Sequence, residues 1–369
     1  MDSRIQKMAD VLVNYSTSVK PGDRVLFRGT SPLAQPLMKA LYEEALKAGG
    51  LPFNYVHMSD EDEIALRTAS ISQLETVNPM LKLMYDTADV IIRIEAEENV
   101  QALSGVPAER LQARQRARGA LLKVQMAREG DRSLRRCTTL FPTTSYAQSA
   151  GMSLHAYEDF VYNACLLHLD DPVAEWKRVA AGQQKLVDYL AGKKTLVVRG
   201  KNIDMEMSIT GRKFENADGK ANFPDGEIFT GPVEDSVRGW VNFTFPAIYS
   251  GNVVTGASLR FEKGRVVEAH AEKNEAFLLA MLDTDQGSRT LGEFAIGTNK
   301  GIDRFTGEIL FDEKIGGTVH MALGQSYVQT GAVNQSSIHW DMICDMRDGG
   351  EILVDGQRFY ENGNFLVGG

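Results

Sequence analysis

A chain of 369 residues, 43% hydrophobic and 24% charged, carries enough apolar material for one large core or, at ordinary domain sizes, two. Its net charge of −9 argues against nucleic acid as the main partner, because phosphate binding needs a basic field. No run approaches the ~18 consecutive apolar residues that cross a bilayer, so no membrane role is expected.

The first ten residues are charged throughout and lack the apolar stretch of a secretory signal, which gives a cytoplasmic expectation. Next, the spacing predicts a helix over 4–15, a buried strand over 24–28, and a helix over 33–48 that Gly49-Gly50 stops. Strand is expected over 53–58, helical segments over 61–88, strand over 89–94, a long polar-faced helix over 108–129 and strand over 137–141. Alternation at this spacing implies βα units and a mostly parallel sheet. Helix is expected again over 157–168 and 172–191. From Thr195 the character changes to short alternating runs such as Ile203–Ile209, separated by Gly, Asn and Asp. We therefore expect an α/β N-terminal domain over 1–190 and a β-rich α+β C-terminal domain over 191–369. No GxGxxG or GxxxxGK[ST] follows any expected strand, so the first domain reads as a scaffold or gating unit, not a nucleotide site. Cys137, Cys165 and Cys344 are widely spaced and form no CxxC pair, and they read as buried thiols.

The most informative segment is Ser337–Met346. If it is a strand, Trp340, Met342, Cys344 and Met346 point one way while His339, Asp341 and Asp345 point the other. An apolar back with an imidazole and a carboxylate on the front is how a rigid metal site is supplied with ligands. His320 lies in a second alternating run, Gly317–Gly324, among small neighbours that leave room for the ring. Glu227 follows the turn signal Phe223-Pro-Asp-Gly226 at the start of an apolar run, and Glu293 sits between Leu291 and Phe294 beside two glycines. Taken singly, each has a bland reading: a core histidine, an exposed turn glutamate, a solvated edge residue. Glu313, flanked by Asp312 and Lys314, reads by itself as part of a solvated charged turn. His57, His155, His168 and His270 lack a carboxylate on the same strand face and read as structural or surface groups.

Together the segments Asn222–Phe229, Leu291–Asn299, Leu310–Glu313, His320–Gly324 with Tyr327, and His339–Asp341 resemble, in order, the M29 family of metallopeptidases, the thermophilic-type aminopeptidases. The resemblance implies that Glu227, Glu293, Glu313, His320, His339 and Asp341 surround a pair of divalent cations. It further implies that Glu293 bridges the ions and that Tyr327 is a catalytic tyrosine. Four carboxylates and two neutral imidazoles carry a charge that two divalent ions would cancel, and oxygen and nitrogen donors without thiolate suit zinc, cobalt or manganese. The implied activity is removal of N-terminal residues from peptides with a free N-terminus. Glu293 is expected to take the proton of the attacking water and Tyr327 to donate to the oxyanion. The resemblance also implies a homodimer whose N-terminal domain controls access to the metals. Two other readings share the residues: a mononuclear non-haem iron ring-cleaving dioxygenase built on His320, His339 and Asp341, and a catalytically silent metal-binding protein.

Overall fold

The computed structural model describes residues 2–367. They form two compact units, one running to Val173 and including Gly219–Phe223, the other comprising Ala174–Asp218 and the chain from Pro224 onward. Residue 190, where the sequence changes character, is the last residue of the helix Pro172–Leu190.

In the first unit a five-stranded sheet runs in the order Leu51–Val56, Arg24–Gly29, Val90–Glu95, Arg135–Leu140, Asn222–Phe223, with every neighbouring pair parallel. The parallel α/β expectation is thus met. The second strand starts at Leu51, not at 53, because the Leu51 N–H already donates to Asp23 O at 2.7 Å directly after Gly50 packs against Val19 and Val25. The fourth starts at Arg135, not at 137, where the Arg135 guanidinium is tied to Thr17 O and to the Asp23 carboxylate. The helical stretch over 61–88 is three helices, Glu61–Thr68, Ile71–Glu75 and Pro79–Thr87. A Ser70–Gln73 capping box and an Asn78 cap ahead of Pro79 set the starts of the second and third. The expected helix over 157–168 begins earlier, at Leu154 behind the Ser153 cap, and ends at Ala164. Over 4–15 the chain is helical but changes winding at Val11, where the α-helix Ser3–Asp10 gives way to π-helix.

The second unit holds two large antiparallel sheets. Eight strands run in the order Arg265–His270, Ser258–Glu262, Arg238–Asn242, Ile203–Ser208, Thr195–Gly200, Glu351–Val354, Gln357–Glu361, Asn364–Phe365. Five run in the order His339–Asp345, Thr318–Gly324, Leu291–Gly297, Glu227–Thr230, Glu215–Ala217. Period-two alternation gives the five-stranded sheet two unlike faces. Its back contributes Ile228, Phe294, Ile296, Val319, Met321, Leu323, Trp340, Met342 and Cys344 to one core shared with Leu196, Val198, Met205, Val241 and Phe261 of the eight-stranded sheet. All three cysteines are buried and none is disulfide-bonded.

The register sets what the front face carries. Ala322 pairs with Glu293 on one side and Asp341 on the other, His320 with Ala295 and Ile343, Gly324 with His339, and Gly297 with Glu227. Directly paired residues share a face, so both glutamates, both histidines and Asp341 share the front. Glu293 gets there through a β-bulge: Leu291 pairs with Leu323, yet Glu293, two residues on, pairs with Ala322. Without the bulge, Leu291 and Glu293, two residues apart, would share a face; the extra residue Gly292 lets Leu291 stay in the core while Glu293 faces the front. Only glycine fits there, since a Cβ would lie 2.4 Å from Gly324 O.

The approach to the His339 strand is clamped by Asp285. Its carboxylate accepts from Ser337 N at 2.7 Å, Ser337 Oγ at 2.7 Å, Ser336 Oγ at 2.9 Å and Ser288 Oγ at 2.9 Å. Partial burial opposes its charge, but these donors outweigh it and hold the carboxyl below its usual range. A depressed folded value stabilises the fold above the unfolded pKa of about 3.9, and that contribution is lost as pH falls through the folded value. Asp285→Asn should therefore cost about 2 kcal/mol in urea denaturation at neutral pH, with the gap from wild type closing in acid; a gap independent of pH would refute the clamp.

Candidate metal centre

Six side chains that the sequence singles out converge. Glu227, Glu293 and His320 offer donor atoms within 4.8 Å of one another; so do Glu293, His339 and Asp341, and so do Glu313, His320 and Asp341. Glu293 belongs to both of the first two groups, His320 to the first and third, and Asp341 to the second and third. His320 Nε2 lies 3.3 Å from Glu227 Oε2, and His339 Nε2 lies 3.1 Å from Glu293 Oε2 and 3.6 Å from Asp341 Oδ1. Five of the six come from rigid strands. Glu313 instead caps the short helix Ile309–Asp312. Glu293 is 3% exposed on an inner strand and Glu227 6%, so the bland readings of an edge residue and an exposed turn do not hold.

The electrostatics are those of a site built for cations. Burial, opposed by Lys314 and reinforced by Glu313, Glu293 and Asp225, pushes the Glu227 carboxyl well above the usual range. At His339 burial works against the charge, but Asp341 and Glu293 outweigh it and push the imidazole up to about 10. His339 Nδ1–H donates to Gln325 O at 2.8 Å, which fixes the tautomer and turns Nε2 toward the carboxylates. Among the described residues Glu227 Oε2, Asp341 Oδ1 and His320 Nδ1 are buried without a hydrogen-bond partner. Orphaned acceptors of this kind in a carboxylate–imidazole cluster fit divalent ions, whose positive charge would satisfy them.

Tyr327 packs edge-on against His339 at a ring separation of 5.2 Å and tilted against Phe229 at 5.3 Å. Although the residue is 41% exposed, its phenol is held well above its usual pKa by burial and by Glu293, Asp341, Glu313 and Glu227. It keeps its proton at neutral pH and is a donor. A recess of about 340 Å³ adjoins His339 and Asp341, lined by Ile248, Tyr249, Phe305, Ile309 and Ile343.

Two contributors escape the sequence reading. Lys314 is 0% exposed; its ammonium pairs with Glu313 and stands 3.8 Å from Glu227 and 3.9 Å from Asp225. A lysine after Asp-Glu looks like surface, and nothing in its neighbours signals burial. Gln325 acts through its backbone carbonyl, which no side-chain pattern reveals.

Comparison with known proteins places this geometry. The family model for thermophilic metalloproteases (M29) matches residues 1–365. Aminopeptidase 2 of Geobacillus stearothermophilus is 28% identical, over 99% of this chain and 98% of that protein. Aminopeptidase T of Thermus thermophilus is 25% identical, over 97% and 95%. The solved structure of wild-type AmpT from Thermus thermophilus shares the fold with a TM-score of 0.85 at 23% identity, covering 99% of both chains. A 2,5-dihydroxypyridine dioxygenase from Pseudomonas putida KT2440 has a related fold, with a TM-score of 0.61 at 14% identity over 100% of this chain and 98% of that one. With nearly its whole length matched by the family model and its carboxylate and imidazole donors gathered in one cluster, the chain belongs to the M29 metallopeptidases.

Proposed function

We propose that the chain is a two-ion aminopeptidase, and the observation that carries this reading is the pair of donor groups sharing Glu293. Glu227, Glu293 and His320 would hold one ion and Glu293, His339 and Asp341 the other, with Glu313 completing the ring of donors. Zinc, cobalt and manganese all suit the donor set. Bound ions supply Lewis acidity, polarising a carbonyl oxygen and making water acidic enough to attack near neutral pH.

The remaining steps belong to the chain. Glu293 takes the proton as the water oxygen adds to the peptide carbonyl carbon, and returns it to the departing amine as the C–N bond breaks. Tyr327 donates its O–H to the developing oxyanion. His339, held by Gln325 O, keeps its ring fixed throughout. The recess beside His339, where Ile248, Phe305, Ile309 and Ile343 stand with Glu308 and Asp312, suits the side chain of an N-terminal aliphatic or aromatic residue and disfavours an acidic one. A free N-terminus on the substrate and a homodimer, both supported by the family resemblance, complete the reading together with a cytoplasmic location.

The dioxygenase reading rests on the shared fold and on His320, His339 and Asp341 as a two-histidine, one-carboxylate set. A single iron leaves Glu227, Glu293 and Glu313 without a task, which favours the peptidase. A silent metal binder has no use for a protonated tyrosine packed on a ligand histidine.

Metal analysis with a panel of fluorogenic aminoacyl substrates tests the proposal. Two divalent ions per chain and chelator-sensitive hydrolysis of leucyl and phenylalanyl substrates over glutamyl ones are expected; one iron with oxygen consumption would replace the peptidase with the dioxygenase. Tyr327→Phe should lower kcat by about 100-fold or more while leaving metal content intact, and unchanged turnover would remove Tyr327 from the chemistry. Since His339 must shed its proton to ligate, metal affinity should weaken by about tenfold for each pH unit below about 10. The sign follows from the raised value: the protonated pairing with Asp341 and Glu293 stabilises the metal-free protein fully below about 6.5 and is lost as pH rises through about 10. Calorimetric metal titrations showing the same affinity at two pH values would contradict it.

A further inference from the structure

Lys314 puts a fixed cation inside one half of the cluster. Its side chain is 0% exposed, its ammonium contacts Glu313 and lies 3.8 Å from Glu227 Oε1 and 3.9 Å from Asp225 Oδ1. The backbone pins it there: Lys314 N–H donates to Phe311 O at 3.0 Å, and Lys314 O accepts from Asn299 N at 3.2 Å. The other half differs. Among the described residues, the ion-pair partner of both Glu293 and Asp341 is His339, and no lysine or arginine forms an ion pair with either carboxylate.

We propose that Lys314 is a positioning residue that makes the two ion positions unequal, by competing through its charge for the Glu227 and Glu313 carboxylates. The inference rests on the two-ion reading above. A divalent ion on Glu227 and His320 must share Glu227 with an ammonium that has no route to solvent, whereas an ion on His339 and Asp341 meets no permanent cation. Like charges at such separations in a buried site repel strongly. The Glu293–His339–Asp341 position is free of this competition. The Glu227–His320 position binds weakly and exchanges, so full occupancy follows the free metal concentration. In the metal-free protein the same ammonium offsets the repulsion among Glu227, Glu313 and Asp225 and keeps that half folded.

The test compares wild type with Lys314→Met, which keeps an unbranched chain of similar length without the charge. Metal-free protein is titrated with cobalt(II) by calorimetry, and thermal unfolding is followed with and without cobalt. In wild type, two ions should bind with affinities separated by about tenfold or more. In Lys314→Met the weaker step should tighten by about tenfold or more while the tighter step moves far less, and the rise in Tm on adding cobalt should exceed that of wild type. If Lys314→Met does not fold without metal, Lys314→Gln is loaded during refolding and stripped stepwise with a chelator, which reads the same two affinities. Unchanged affinities, or an equal loss of Tm with and without cobalt, would overturn the inference and leave Lys314 as a packing residue. Wild type that binds no second ion at all would overturn the two-ion reading itself, a different result.

Discussion

The second unit carries one unfavourable constraint: three carboxylates, Glu227, Glu293 and Asp341, share a sheet face largely closed to water, and a fourth, Glu313, is brought against them from the end of a short helix. Taking one carboxylate out of water costs several kcal/mol, and like charges at these separations add to the penalty. Within the chain, the relief comes from His339 held protonated, from Glu227 pushed toward its neutral form and from the buried ammonium of Lys314. Each is a substitute for metal charge. The donor atoms left without hydrogen-bond partners, Glu227 Oε2, Asp341 Oδ1 and His320 Nδ1, mark where substitution by the chain's own groups stops.

Such strain needs a rigid support, and the sheet provides it through its opposite face. Phe294, Met321, Trp340 and Met342 are buried in a core shared with the eight-stranded sheet, so the strands carrying the clustered donors cannot drift apart without opening that core. The apolar back therefore stabilises what the polar front destabilises, and both come from the same alternating residues. Asp285 performs the corresponding task at the strand end, fixing Ser336 and Ser337 just before His339.

Period-two patterns were legible because a half-buried strand writes them into the chain. His339 and Asp341 opposite Trp340 and Met342, and His320 between Val319 and Met321, are placed by the structure on the faces that alternation assigns. Glu227 stands first in its strand, as the turn before it indicates. What the sequence hid depends on distant partners. Asn222–Phe223 joins the parallel sheet as a two-residue strand, too short for any periodicity, through pairing with Thr138 and Thr139. Lys314 looks like a surface charge because burial of a lysine is decided by carboxylates brought to it by folding. The early starts of Leu51–Val56 and Arg135–Leu140 are likewise set by hydrogen bonds to Asp23, Thr17 and Asp89 that local spacing does not encode.

The bulge at Gly292 makes the centre a matter of parity. In a pleated strand, side chains count odd and even, and one supernumerary residue is all that lets Leu291 keep to the core while Glu293, two residues on, faces the cluster. A strand that kept Gly292 but straightened the bulge would put Leu291 and Glu293 on one face, so that either the leucine left the core or the glutamate left the cluster. The composition of the site is thus insufficient to define it: a homologue that keeps all six donors and the extra residue but loses the irregularity would retain the letters of the motif while giving up either a core leucine or a donor.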